Sequence, residues 1–180
     1  MVKISRLWAM PSANTFDVPP IRDFVRRYLP VSSCAVSIDP FARNKGWATY
    51  TNDLNPNTAA EYHMDVLEFL GEMVRFGVRA DVAIFDPPYS PRQIKECYDS
   101  IGLKMKAQDA MRTNWQAERN LIDKILKPNG YCLSFGWNTN GMGRKRHYEI
   151  VEILIVAHGM GHNDTLCTAE QKPPYEQISL

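Results

Sequence analysis

Long apolar runs are missing from this 180-residue chain. No stretch reaches membrane-spanning length, and residues 1–8 carry no apolar run of signal-peptide size. The expectation is a soluble, intracellular protein. An excess of one charge is missing too. The net charge is +1, so nothing draws the whole molecule toward nucleic acid, and any electrostatic footprint must be local. The four cysteines, Cys34, Cys97, Cys132 and Cys167, form no CxxC pair. Three of them lie in apolar stretches, which suits reduced thiols in a core. There is no internal repeat, low-complexity tract or long linker. What is present is an ordinary globular balance, 44% hydrophobic and 23% charged, at a length that suits one domain over residues 1–180.

The pattern along the chain alternates between strands and helices. Ile21, Phe24, Val25, Tyr28 and Leu29 repeat at helical spacing, and Pro30 stops that helix. Ala35-Val36-Ser37-Ile38 predicts a short buried strand ending at Asp39-Pro40, and Ala48-Thr49-Tyr50-Thr51 a second ending at Asn52-Asp53. Asp65 caps a helix with the stripe Val66, Leu70, Met73 and Val74, closed by Gly77. Val82-Ala83-Ile84-Phe85 is continuously apolar, as a strand covered on both faces requires. A polar segment follows. Thr113-Asn114-Trp115-Gln116 then offers a capping box for a helix to about Leu126, which Lys127-Pro128-Asn129-Gly130 breaks. Strands over 131–137, 148–157 and 165–170 close the chain, the last two antiparallel across a short Gly-rich loop. The expected fold is an α/β, mostly parallel sheet with a C-terminal antiparallel hairpin.

In open α/β sheets, ligands bind beyond the carboxyl ends of the strands. Asp39, Asp53 and Asp86 end successive strands on that edge, and Asp65 opens a helix on the same side. Any one carboxylate is ordinarily just a cap. Four in one half-sheet suit a ligand with cationic, hydroxyl and amino groups. The sharpest signal is Asp86-Pro87-Pro88-Tyr89, directly after the buried strand. Chance would produce this tetrapeptide on the order of once in a thousand such chains. It suits methylation of an amino nitrogen on a nucleic-acid base, whose lone pair is delocalised into the ring. The Asp86 carboxylate and the rigidly held Pro87 carbonyl would accept its two N–H bonds and localise that lone pair. Tyr89 would stack on a base swung out of the helix. No Pro-Cys pair offers a thiolate nucleophile, which disfavours attack at cytosine C5.

With these pieces the chain resembles the amino-methyltransferases of the class I S-adenosylmethionine-dependent fold, which is Rossmann-like. It is most similar to the small adenine-specific (N6) DNA methyltransferases of phages and prophages. The resemblance runs from about Met10 to Lys172 through Ile38–Ala42, Thr51–Pro56, Tyr62–Asp65, Asp86–Ser90, Leu126–Gly130 and Ser134–Asn138. It implies S-adenosylmethionine as cofactor, DNA as partner and a bacterial cytoplasm as location. It places Asp39, Pro40 and Phe41 under the methionine part of the cofactor, Asp53 at the ribose hydroxyls and Asp65 beside the adenine amino group. It also places Thr15 and Phe16 at the methionine end and Asp86, Pro87, Pro88 and Tyr89 at the catalytic centre.

Two departures stand out. Ala42-Arg43-Asn44-Lys45-Gly46 leaves no room for a crossover helix before the second strand, so that cofactor binding is looser or completed by another segment or subunit, a homodimer included. There is also no separate target-recognition domain, so specificity comes from loops or is relaxed. Candidate nucleic-acid contacts are Arg92, Lys95, Lys104, Lys106 and Arg112 after the tetrapeptide. Arg144, Lys145 and Arg146 join them from a Gly- and Asn-containing loop that reads as mobile. His158 and His162 have a metal-like spacing, but the intervening glycines argue against the helix that would make them converge, so no metal is expected. The tetrapeptide alone leaves open cytosine N4 in DNA, guanine N2 in RNA, and a non-catalytic nucleic-acid-binding partner of the same fold.

Overall fold

The computed structural model describes residues 1–29, 32, 34–104, 114–159 and 161–174. Among these, seven strands form one sheet: β1 (Lys3–Trp8), β2 (Ser37–Asp39), β3 (Tyr50–Thr51), β4 (Ala80–Phe85), β5 (Leu126–Gly136), β6 (Glu149–Ala157) and β7 (Thr165–Gln171). Their order is β1-β6-β7-β5-β4-β2-β3. Only β7 runs against its neighbours, β5 and β6, while every other pairing is parallel. The closing hairpin is therefore C-terminal in sequence but interior in space, with β7 between β5 and β6.

Four helices complete the described fold: α1 (Pro19–Tyr28), α2 (Val66–Arg75), α3 (Pro91–Ser100) and α4 (Gln116–Ile125). Side chains alternate across a strand, and β4 shows what this achieves. Val82 and Ile84 pack with Ile21, Phe24 and Val25 of α1, whereas Ala83 and Phe85 pack with Phe69 and Met73 of α2 and Ile122 of α4. Both faces are covered, which is why β4 reads as an unbroken apolar run. Asp65 caps α2 by accepting the Leu67 amide N–H at 2.9 Å, and Gly77 follows with φ +69°. Leu29 is already extended after α1, as a residue before proline prefers; Pro30 itself lies outside the described residues.

Several expectations need correction. The first strand is β1, which pairs with β6 at the sheet edge and carries no alternating pattern, because nearly all its side chains are exposed on both faces. Helix α4 starts from Trp115 in left-handed conformation (φ 47°), with the Asn114 side chain accepting the Gln116 N–H. Thr113 lies outside the described residues. Residues 127–130 do not separate helix from strand; they belong to β5 as an irregularity in its pairing with β4. Residues 91–100, read only as part of a polar segment with no assigned element, are helix α3. Of the cysteines only Cys132 and Cys167 are buried, while Cys34 is exposed. Among the described residues no helix is long and apolar enough to cross a membrane.

Candidate active site

Parallel pairing of β2, β3 and β4 puts their carboxyl ends on one edge. A cavity of about 570 Å³ opens there, and Thr15, Pro40, Phe41, Asp53, Asp65 and the whole Asp86–Tyr89 tetrapeptide line it. Two expected residues stand apart. Phe16 is in the core on the α1 side, its ring 5.4 Å from Trp47 and 5.2 Å from Phe135, and it does not line the cavity. Asp39 is fully buried beneath it.

Asp39 ends β2, where its Oδ1 accepts the Phe41 amide N–H at 3.0 Å and so shapes the Pro40-Phe41 turn. Its Oδ2 has no hydrogen-bond partner among the described residues. Burial, reinforced by the negative charges of Asp86 and Asp53, holds the Asp39 carboxyl well above the ordinary carboxylate range. Asp53, just beyond β3, holds its own turn through Oδ1, which accepts from Asn55 N–H at 2.8 Å, and ties the β2–β3 connection through Oδ2, which accepts from Arg43 N–H at 3.1 Å. Ala42 N–H also bonds to Asn52 O at 2.9 Å. A tight turn therefore replaces the crossover helix, as the residue count demands. Arg43 in left-handed conformation (φ 50°) marks where that turn is strained.

Asp86 lies one residue beyond β4 and shares hydrogen bonds with the side chains of Tyr89 and Thr15. Burial raises its carboxyl, and those two bonds with the Arg43 charge pull the other way. The Tyr89 phenol is pushed up strongly by burial and by Asp86. The Tyr89 amide donates to Gln93 Oε1 at 2.6 Å, and Ser90 caps α3 with Pro91 at its first turn. The tetrapeptide is thus clamped between a buried strand and a capped helix. Its carboxylate and carbonyls sit where an amino group could be held.

Sequence reasoning missed the residues that complete the enclosure. Gln93, Ile94 and Cys97 bring one face of α3 to the cavity, and Ser90-Pro91 was the available signal for that helix. Trp115 forms a wall, packed edge-on to Phe41 at 5.6 Å and Phe85 at 6.5 Å. Only the tertiary fold brings it there.

The basic candidates divide. Arg92 and Lys95 are exposed on α3 and paired with Glu96, at 2.8 Å, and Asp99. Lys104 and Lys145 are exposed. Lys106, Arg112 and the side chain of Arg144 lie outside the described residues. Arg146 is buried, donating to Met142 O and to Asn120 Oδ1, so it serves the fold and not a phosphate. Its loop is tied at two points to the rest of the fold. Met142 N–H donates to Glu170 Oε2 at 2.7 Å, and a Cβ on Gly141 would meet that carboxylate at 1.8 Å. His158 is buried, its ring nitrogens 2.9 Å from Ala9 O and Thr165 Oγ1, whereas His162 is exposed.

No protein-family model matches the chain, and no curated protein matches it in sequence. Solved structures do match in shape. The N-methyltransferase NodS from Bradyrhizobium japonicum WM9 superposes with a TM-score of 0.56 at 10% identity, over 89% of this chain and 98% of NodS. SMU.776, solved in complex with SAH (S-adenosylhomocysteine), gives 0.56 at 14% identity, over 83% of this chain and 49% of its own. TrmN from Thermus thermophilus gives 0.54 at 12% identity, over 86% of this chain and 49% of TrmN. The chain therefore spans about half the length of the last two. With this sheet order, this single reversed strand and these neighbours, the chain has the Rossmann-like methyltransferase fold.

Proposed function

We propose that this protein is an S-adenosylmethionine-dependent methyltransferase acting on the exocyclic N6 of adenine in DNA. The observation that carries this reading is the Asp86–Tyr89 tetrapeptide at the carboxyl end of β4, opening on the same cavity as Asp53 and Asp65. The neighbours lend weight to the cofactor, since NodS is an N-methyltransferase also solved with SAH.

The donor set fits the cofactor. Burial and the charges of Asp86 and Asp53 raise the proton affinity of Asp39, whose buried Oδ2 lacks a partner among the described residues. A cationic ligand in the cavity that Asp53, Asp65 and Asp86 line would offset that negative charge. Thr15, Pro40 and Phe41 would flank the methionine end, Asp53 would take ribose hydroxyls, and Asp65 would meet the adenine amino group. Bound S-adenosylmethionine supplies an electrophilic methyl group on sulfur.

The chain's own part is positioning. The Asp86 carboxylate and the Pro87 carbonyl accept the two N–H bonds of the target amino group and turn its lone pair outward. The two prolines hold both acceptors before the substrate arrives, so no reorganisation is needed during transfer. Tyr89 covers the base, and its hydroxyl gives up Asp86 when the amino group takes its place. Closure by α3 and Trp115 keeps water from competing for the acceptors.

The test is transfer of labelled methyl from S-adenosylmethionine to unmethylated DNA, read by nucleoside mass spectrometry with Asp86→Ala as control. N6-methyladenine that vanishes in the variant is expected. N4-methylcytosine or a methylated RNA base would overturn the substrate but keep the chemistry. No product on any nucleic acid would overturn the enzyme.

A further inference from the structure

We propose that Trp137 is a stacking residue for the unpaired DNA strand beside the target nucleotide, and that the preferred substrate is therefore single-stranded or locally melted DNA. This rests on the methyltransferase reading and adds the form of its substrate.

Trp137 follows β5 immediately, as the tetrapeptide follows β4, and the two strands are neighbours in the sheet. Its ring lies 5.8 Å from that of Tyr89 at an interplanar angle of 63°. Tyr89 lines the cavity and Trp137 does not, so the tyrosine separates the enclosed site from the indole outside it. Trp137 as a residue is 47% exposed. Leaving that much apolar ring in water has a cost, and burying it against a flat apolar partner recovers it.

Trp137 meets Tyr89 on one side and leads into a tied loop on the other. The loop behind it is tied by Asn138 Oδ1, which accepts from Asn140 N–H at 3.0 Å, by Glu170 through the Met142 amide, and by buried Arg146. A ring already packed edge-on to Tyr89 has less freedom to lose on stacking than a free side chain.

The occupant follows from the location and from the charges. With the target base at Asp86, the next base along an unpaired strand is the nearest flat apolar group to Trp137. In a duplex that base would stay paired and stacked within its helix, and the indole would have nothing to cover it. Duplex affinity rests instead on cations at phosphates. Among the described basic candidates Arg92 and Lys95 are paired with Glu96 and Asp99 and Arg146 is buried, which leaves Lys104 and Lys145 exposed. Single strands are gripped by base–aromatic stacking, which tolerates any base. Trp8 ends β1 on the same carboxyl edge and is 64% exposed. It extends this apolar edge away from the cavity.

The experiment measures binding of the full chain to a labelled adenine-containing single-stranded oligodeoxynucleotide and to its duplex, across a salt series, with S-adenosylmethionine affinity by calorimetry alongside. Wild type is expected to bind the single strand more tightly. Trp137→Ala should weaken that binding about tenfold, while Trp137→Phe, which keeps a ring, stays within about threefold. The slope of affinity against salt should be the same in all three proteins, because an indole neutralises no phosphate. Cofactor affinity should not change. Unchanged single-strand binding in Trp137→Ala, an equal loss in Trp137→Phe, or tighter binding of the duplex overturns this proposal and leaves the methyltransferase reading standing. Cofactor binding by a wild type that binds neither form of DNA overturns both.

Discussion

The two halves of the sheet are built to different ends. On one side, β2 and β3 have three and two residues, and the chain spends its length on turns held by Asp39, Asp53 and Asn52. On the other, β5, β6 and β7 run for eleven, nine and seven residues and bury Leu133, Leu154, Val156, Cys167 and Ala169 against one another and α1. Long ladders with covered faces hold the fold. Short strands release their ends early and leave room for a cavity lined by polar groups. β4 belongs to both: its Val82–Phe85 run is core, and the next residue is Asp86.

That division can be broken at either end. Asp86→Ala should lower methyl transfer by about 10²–10³-fold, the cost of losing one preorganised acceptor. Its melting temperature should stay near that of wild type. A large loss of stability would show that the short-strand half also holds the fold. Leu133→Ala, at a fully buried position of β5, should behave oppositely. A cost of about 3 kcal/mol in denaturant unfolding is expected, with kcat preserved in the folded fraction.

Glu170 tests the long-strand half through pH. Burial raises its carboxyl from the ordinary 4.5 to about 7, against the bond from Met142 and the charges of Arg119 and Arg146. The folded protein keeps this proton through a range where the unfolded chain has lost it. Glu170's contribution is therefore complete below about pH 4.5 and disappears as pH rises through about 7. Glu170→Gln should remove that dependence. Its stability relative to wild type should grow between pH 4.5 and 7 by on the order of 2 kcal/mol, read from melting curves at several pH values. A constant difference would mean that Glu170 stays ionised in the fold.

The smallest expected effect is at Tyr89. Its hydroxyl bond helps hold the Asp86 proton affinity down. In Tyr89→Phe the ring remains and the bond is gone, so the acidic limb of the pH–activity profile should move to higher pH. An unmoved limb would mean that another group controls it.

Much of the active edge was legible before folding. A buried apolar run followed by Asp-Pro-Pro-Tyr, an Asp caps-a-helix pattern at 65, and strand ends at Asp39 and Asp53 are all local, spanning a few residues each. The cavity brings most of those side chains together. What local pattern misjudged was whatever depends on a distant partner. Arg146 looked like a phosphate contact because its charge is visible and its acceptors, Met142 O and Asn120 Oδ1, are not. The loop looked mobile because glycine is permissive, yet Gly141 is glycine so that Glu170 can approach. Strand β1 was invisible because an edge strand exposed on both faces has no alternation to read.

The sequence by itself therefore determined the chemistry available at the carboxyl edge, since acidic residues at strand ends and rigid prolines act through their immediate neighbours. The tertiary structure decided the rest. Pairing of Lys3–Trp8 with a strand about 150 positions later, the closure of α3 and Trp115 over the cavity, and the meeting of Tyr89 with Trp137 all join segments far apart in the chain. Such contacts depend on how the whole sheet is ordered, which no short stretch of residues encodes.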